Sequence, residues 1–333
     1  KAGFAEGMDL LRAGGVLCFD TETTGTDPMR SELVGIALTG ATGRGTYVPV
    51  GHTTGPRLDR ERVLGALRSL FTDEALPKVA HNAKFDIEVL RLAGLEVRGP
   101  LYDTMLAQFL LDPGARLGLK ALARSELGIE MTEITELIGV GREQITMADV
   151  PIDDAARYAA ADVDVTLRLR QLQEPRLAEM GLRSLLDDVE LPLIPALVDA
   201  ELAGVLVDVE MLAAMSREMA TRLARIEAEV YELVGVPFNL SSPQQLARVL
   251  FENLGLEPPG GRRTQTGQQS VAADVLESLR GLHPVVDLVL EHRHLSKLKG
   301  TYIDALPAMV NPRTGRVHTS YNQAGTTTGR VSS

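Results

Sequence analysis

The chain has 333 residues, 44% of them hydrophobic, and a formal net charge of −11 at pH 7. This length favours two domains. The negative net charge excludes a protein that binds nucleic acid through a surface that is positive all over. There is no apolar run of about 18 residues and no charged-then-apolar leader, so we expect a soluble, non-secreted protein without membrane contact. The single cysteine, Cys18, lies in an apolar stretch and fits a core residue in a reducing cytoplasm.

The first predicted strand covers residues 16–20 and leads into Asp20-Thr21-Glu22. Side chains two apart on a strand share a face, so Asp20 and Glu22 point together into the space beyond the strand. Two such carboxylates repel each other unless a cation neutralises them, and hard divalent cations such as Mg²⁺ or Mn²⁺ prefer oxygen ligands. On its own, the pair fits an exposed strand end equally well.

Strands and helices alternate through the rest of the front half. The predicted strands cover 33–38, 46–50, 78–80 and 101–103, and the predicted helices cover 58–71, 86–94, 105–111 and 152–172. This alternation predicts an α/β domain built around a mixed sheet flanked by helices.

Two later segments add to the acidic pair. Asn82 and Asp86 follow the strand at 78–80, and Tyr158 and Asp162 lie four apart on one face of a predicted helix, with Asp164 pointing elsewhere. Four carboxylates from three elements can line one side of a sheet and hold two metal ions.

The three segments resemble the Exo I, Exo II and Exo III motifs of the DEDD exonucleases, in the tyrosine-bearing branch, on an RNase H-like fold. The resemblance covers residues 14–172 and includes the whole acidic set. It implies a catalytic group of five residues: Asp20, Glu22, Asp86, Tyr158 and Asp162.

The resemblance also implies roles and cofactors. Two divalent ions, Mg²⁺ or Mn²⁺, would be bound, with Asp20 bridging both, Glu22 and Asp162 completing the tighter site, and Asp86 holding the second ion. Tyr158 would orient the attacking water. Further DNA contacts are expected from three residues of the same motifs: Thr23, Asn82 and Phe85. Lys84 is a candidate phosphate contact, with a solvated surface lysine as the favoured alternative.

The back half is predicted to be helical and mildly basic. From residue 235 to 333 there are ten Lys or Arg and seven Asp or Glu, or +3, which leaves 24 against 38, or −14, for residues 1–234. Basic segments suit phosphate contacts, although chance segregation of surface charge gives the same pattern. Asp208 is the expected N-cap of a long helix over 209–234, and Ser242, Pro243 and Gln245 form a capping-box pattern.

The back half, from about residue 190 to the last residue, resembles family A DNA polymerases of the bacterial polymerase I type. The residues that carry this resemblance include 311–321 and the Thr-Gly-Arg segment at 328–333. It implies an exonuclease domain over 1–186, a helical thumb over 187–310 and the start of the palm over 311–333. The implied primer-template contacts are Thr264, Lys297, Lys299, Tyr302 and Arg330.

These resemblances predict the proofreading 3′ to 5′ exonuclease portion of a DNA-directed DNA polymerase of replication and repair. Its DNA partners would be a single-stranded 3′ end at the acidic site and primer-template duplex at the thumb. Since the chain begins with Lys1, we expect it to start inside a longer protein. The rest of the palm and the fingers are not part of the 333 residues, so we expect no synthesis by this chain alone, and a second chain is one way to supply them.

The expected location is the bacterial cytoplasm, in association with the nucleoid. Two alternatives fit parts of the sequence: a stand-alone DEDD exoribonuclease of the ribonuclease D kind, which would share the front half, and a DNA-binding module with a silent metal site.

Overall fold

The structure is a computed structural model, and it describes residues 11, 13–257 and 269–333. The described residues pack as two compact units. The first runs to Gly204 and also includes His318–Ser333, and the second is Val205–Val317. The domain limits at residues 186 and 310 rest on family resemblance and stay a prediction. Thr264 lies outside the described residues.

The first unit contains a five-stranded mixed sheet with the order β3-β2-β1-β4-β5. The strands are β1 (Leu17–Thr23), β2 (Leu33–Thr39), β3 (Thr46–Pro49), β4 (Lys78–Ala80) and β5 (Leu101–Asp103). The central strand β1 pairs antiparallel with β2 and parallel with β4, and β4 pairs parallel with β5. The predicted mixed sheet is confirmed.

Strand β1 is longer than predicted. It continues past Asp20 to Thr23, because every residue from Cys18 to Thr23 pairs with a residue of β2. The predicted end of the strand at Asp20 is therefore wrong: Asp20 and Glu22 both sit within a paired strand, which fixes their backbones.

Eight helices surround this sheet in the described residues. They are α1 (Arg60–Phe71), α2 (Ala83–Leu92), α3 (Thr104–Leu111), α4 (Leu119–Leu122), α5 (Ile134–Ile138), α6 (Ile152–Glu179), α7 (Arg183–Leu185) and α8 (Leu191–Ala203). Short 3₁₀ or π turns cover Ala123–Leu127, Gly141–Glu143, Met147–Asp149 and Leu186–Glu190.

Two helix boundaries differ from the prediction for tertiary reasons. Helix α2 begins at Ala83 rather than at 86, because the Asp103 carboxylate accepts the N–H groups of Asn82 (3.2 Å) and Ala83 (2.7 Å). Helix α6 continues through Pro175 to Glu179. It does so because Leu177, beyond the proline, is fully buried in the core.

The core of this unit lies between the sheet and its helices. Phe19 of β1 meets Phe71 of α1 edge to face, with ring centroids 5.2 Å apart. The Cys18 Sγ is buried and donates to the Val163 carbonyl of α6 at 3.3 Å. The prediction of a core cysteine is confirmed, and its contact fixes α6 against β1, which matters because α6 carries Tyr158 and Asp162.

The second unit is mainly helical. Its helices are α9 (Val209–Val234), α10 (Pro243–Ala247), α11 (Ala273–Ser278), α12 (Pro284–Leu298) and α13 (Ala305–Met309), with π turns at Arg248–Asn253 and Lys299–Ile303. Two short strands, β6 (Val205–Leu206) and β7 (Arg316–Val317), pair antiparallel. None of the helices in the described part of the chain combines the length and apolar character needed to cross a membrane.

The caps of the second unit match the predictions in part. Asp208 accepts the Met211 N–H at 2.9 Å and caps α9, as predicted. Ser242 caps α10, but the Gln245 side chain accepts the Asn239 N–H at 2.8 Å instead of returning to Ser242. The predicted capping box is thus replaced by a wider loop closure.

Candidate active site

Two elements of the first unit bring three carboxylates together. Strand β1 carries Asp20 and Glu22 on one face, and α6, packed against β1, supplies Asp162. One oxygen from each lies within 4.8 Å of the others. The three line a cleft of about 740 Å³.

The donor set fits a divalent cation. Glu22 and Asp162 are each 7% exposed, and Glu22 Oε1 is fully buried with no hydrogen-bond partner among the described residues. A buried polar atom without a partner is costly. Because a hard divalent cation binds carboxylate oxygens, it would supply the partner that Glu22 Oε1 lacks. The three residues therefore form a candidate metal site.

Asp86 stands outside this group of three but lines the same cleft. Its Oδ1 accepts two hydrogen bonds from Thr21, one from the backbone N–H (2.9 Å) and one from the hydroxyl (2.6 Å). Thr21 lies between Asp20 and Glu22 in the sequence, so the first acidic segment itself positions Asp86. The sequence reasoning missed this role of Thr21.

The structure also places a lysine at the site. The Lys120 Nζ of α4 donates to Asp162 Oδ1 and lies 4.1 Å from the centroid of the Tyr158 ring. Its side chain is 16% exposed. The sequence reasoning missed Lys120, because it belongs to none of the three motifs and only the packing of α4 against α6 brings it to Asp162.

Burial raises the pKa of all four carboxyls, and repulsion within the group adds to this for Asp20 and Glu22. The pKa of Asp20 is raised well above its usual value, first by burial and then by repulsion from Asp86 and Glu22. Burial, and then Asp162, raises the pKa of Glu22 to about 8. Burial raises the pKa of Asp86 to about 7, although the two hydrogen bonds from Thr21 lower it. Burial also raises the pKa of Asp162, although the positive charge of Lys120 lowers it. The cluster thus holds protons that a bound cation would displace.

Tyr158 remains a neutral phenol. Burial, followed by repulsion from Asp162 and Glu22, raises its pKa above the usual value. It can therefore donate or accept a hydrogen bond at neutral pH, but it cannot act as a base. The other acid on this stretch, Asp164, faces away and accepts from the Gly43 N–H (2.6 Å) and the Arg168 Nε (2.9 Å). The predicted divergence of Asp162 and Asp164 is confirmed.

Three further predicted residues line the same cleft: Thr23, Asn82 and Phe85. Asn82 has a left-handed backbone with φ of 61°, which asparagine tolerates better than most residues. The Asp103 carboxylate holds this turn through the Asn82 and Ala83 N–H groups. Asp103, the last residue of β5, thus fixes the backbone turn that follows β4 and carries Asn82.

Lys84 does not point freely into solvent. Its Nζ donates to both carboxylate oxygens of Glu201, at 2.6 and 2.7 Å, and its side chain is 12% exposed. The suggestion of a phosphate contact receives no support from this pairing.

The predicted duplex contacts of the second unit vary in their surroundings. Lys297 and Tyr302 are exposed, whereas the Lys299 Nζ is paired with Asp304 at 2.6 Å. In the stretch just before Lys297, residues 292–296, His292 is buried beside Glu227, and the Arg293 Nη1 donates to the Val271 carbonyl at 2.5 Å. Part of this segment therefore serves packing. Arg330, in the first unit, is exposed.

The front and back halves of the chain match the models of two different protein families. Residues 2–178 match the family model described as 3′-5′ exonuclease. The chain belongs to the 3′-5′ exonuclease family. Residues 209–333 match the model of DNA polymerase family A, so the resemblance to family A polymerases is confirmed.

Curated relatives are named DNA polymerase I. The protein of Chloroflexus aurantiacus is 47% identical over 99% of this chain and 35% of its own length. That of Pseudomonas aeruginosa is 40% identical over 100% of this chain and 37% of its own length. The chain therefore spans about a third of the length of these relatives.

A solved structure shares the fold. It is the POL domain of Pol1 from M. smegmatis in complex with DNA primer-template and dNTP, with a TM-score of 0.79 and 29% identity. The match covers 98% of this chain and 53% of that one. The predicted fold class, an RNase H-like α/β exonuclease domain followed by a helical region, is confirmed.

Proposed function

We propose that this chain is a proofreading 3′ to 5′ exonuclease that hydrolyses the 3′-terminal phosphodiester of DNA. One observation carries the proposal: in a chain of the 3′-5′ exonuclease family, oxygens of Asp20, Glu22 and Asp162 lie within 4.8 Å of one another, and the buried Glu22 Oε1 has no hydrogen-bond partner in the described part of the chain.

The proposed cofactor is a pair of Mg²⁺ or Mn²⁺ ions. Asp20 would contact both, Glu22 and Asp162 would hold the first, and Asp86, fixed by Thr21, would hold the second. When bound, such a pair stabilises the attacking and leaving oxygens of an in-line displacement.

The remaining residues of the cleft would position the substrate. The neutral Tyr158 hydroxyl orients the attacking water, since a phenol with a raised pKa keeps its proton. Phe85 offers a face on which the terminal base stacks, and the Asn82 amide and Thr23 contact the terminal nucleotide.

We also propose that the second unit, with Arg330, contacts primer-template duplex. Support comes from the family A match over residues 209–333 and from the structural neighbour, which was solved with DNA. The exposed Lys297 and Tyr302 suit sequence-independent phosphate contacts. The proposed limits of exonuclease, thumb and palm are 1–186, 187–310 and 311–333.

The whole protein is proposed to be a DNA-directed DNA polymerase of bacterial replication and repair, acting in the cytoplasm at the nucleoid. Synthesis would need the rest of the palm and the fingers, in a longer form of the protein or on a second chain. Primer extension by this chain, with and without any polypeptide that co-purifies with it, tests that part separately.

The test of the exonuclease uses a 5′-labelled single-stranded DNA oligonucleotide with Mg²⁺. We expect stepwise shortening from the 3′ end, faster than on a fully paired duplex end. The double variant Asp20→Ala, Glu22→Ala should lose the activity, as should Asp162→Asn, by about 10³-fold or more, because preorganised charge stabilisation is removed.

Asp164→Asn is the matched control, since Asp164 is two residues from Asp162 on α6 but faces Gly43 and Arg168. This variant should retain the activity. An RNA oligonucleotide of the same sequence separates the ribonuclease alternative. Preferential RNA shortening would overturn the proposal, and so would duplex binding with no Mg²⁺-dependent hydrolysis.

A further inference from the structure

Lys120 occupies a position that the proposed function leaves unexplained. Its ammonium donates to Asp162 Oδ1, an oxygen of the candidate metal site, and lies over the ring of Tyr158. The same charge opposes the raised pKa of Asp20 and Glu22. Lys120 is thus the counter-charge of the carboxylate cluster.

A divalent cation and the Lys120 ammonium compete for Asp162. Both seek the same carboxylate, and both are compact, strongly hydrated charges that repel each other at short range. Entry of a cation at Asp20, Glu22 and Asp162 therefore requires the ammonium to move away from Asp162. The four-carbon lysine stem permits such a movement.

Charge balance indicates where the ammonium goes. The four positive charges of two divalent cations balance the four negative charges of the carboxylates. The scissile phosphodiester then adds one negative charge, which neither the cations nor the carboxylates balance. The Lys120 ammonium already lies 4.1 Å from the Tyr158 ring centroid, beside the side chain proposed to orient the attacking water. The neighbouring His81 cannot supply this charge near neutral pH, because burial lowers its pKa to about 4.

We propose, on the basis of the exonuclease function above, that Lys120 is a mobile counter-charge of the reaction. It neutralises Asp162 before the cations bind and contacts the scissile phosphate once they are in place. It is thus a further catalytic residue, and it makes cation binding weaker than the carboxylates alone would allow.

The test compares the unsubstituted chain with Lys120→Met, which keeps the length of the side chain and removes its charge. Calorimetric titration with MnCl₂ in the absence of DNA should show about tenfold tighter binding, because a competing charge is gone. Single-turnover shortening of single-stranded DNA at saturating Mn²⁺ should be about 100-fold slower, as for other lost electrostatic contacts. Lys120→Arg should recover most of the rate.

Lys78→Met is the matched control, since Lys78 is another buried lysine of the first unit and bonds to the Asp73 carbonyl instead of a carboxylate. It should change neither measurement. A purely structural Lys120 would lower cation affinity and rate together, and a simple counterion would tighten the cation without slowing the reaction. Either result, or no change at all, overturns the proposal. If the unsubstituted chain binds Mn²⁺ but releases no nucleotide, the proposed function itself fails.

Discussion

The two units treat charge in opposite ways. The first gathers four carboxylates from β1, α2 and α6 into one cleft, where each has a raised pKa. The second spreads its charges over helix surfaces, either exposed, as Lys297 is, or paired, as Lys299 is with Asp304 and Arg222 with Glu291.

This contrast indicates two kinds of ligand. Buried, converging carboxylates need a small hard cation in a defined place, so a single substitution there should have a large effect. Dispersed surface charge suits a polyanion such as duplex DNA, where each contact contributes little and is weakened by salt.

The largest effect outside the metal ligands is expected for Tyr158→Phe. Loss of the hydroxyl that orients water should lower the single-turnover rate on single-stranded DNA by about 10²-fold. This is the lower end of the effect that general acid or base groups have on reaction rates. Substrate affinity should change little, because the ring remains. Tyr231→Phe, which removes a hydroxyl bonded to the Phe238 carbonyl in the second unit, is the control. Equal rates for both variants would contradict the proposed role of Tyr158.

A smaller effect concerns stability in the absence of metal. The pKa of Glu22 is raised from 4.5 to about 8 in the folded protein, so folding retains a proton that the unfolded chain releases. In EDTA, the contribution of Glu22 to the free energy of unfolding should therefore be fully present below about pH 4.5. This contribution should be lost as the pH rises towards about 8. Each unit of pKa displacement corresponds to about 1.4 kcal/mol.

Glu22→Gln should flatten that decline in urea unfolding experiments, whereas Glu32→Gln, at an exposed carboxyl, should not. Saturating Mg²⁺ should remove most of the decline for the unsubstituted chain, because the cation stabilises the ionised carboxylates. Parallel pH curves for Glu22→Gln and the unsubstituted chain would show that the buried carboxylate does not carry this effect.

The smallest effect is expected on the second unit. Lys297→Ala should weaken duplex binding about two- to threefold near physiological salt and reduce the slope of log K against log salt by about 1. Lys299→Ala should do less, since Asp304 already neutralises that ammonium. Arg248→Ala, an exposed arginine of another segment, is the control. An unchanged salt slope for Lys297→Ala would remove that residue from the interface.

Local patterns were enough to predict much of the fold and of the site. Alternating strands and helices indicated the mixed sheet, the four-residue spacing put Tyr158 and Asp162 on one face, and Asp208 was correctly predicted to cap α9. These features depend on the periodicity of a strand or a helix and on caps within one turn, so neighbouring residues are sufficient to specify them.

The sequence by itself therefore determined which acids exist, on which elements they lie and which face they share. The tertiary structure decided what those acids contact. Pairing with β2 extended β1 through Glu22, the Thr21 hydrogen bonds positioned Asp86, and the packing of α4 against α6 brought Lys120 to Asp162. The physical reason is that burial and charge repulsion depend on distance in space, and residues far apart in the chain set that distance only when the sheet and its helices have packed together.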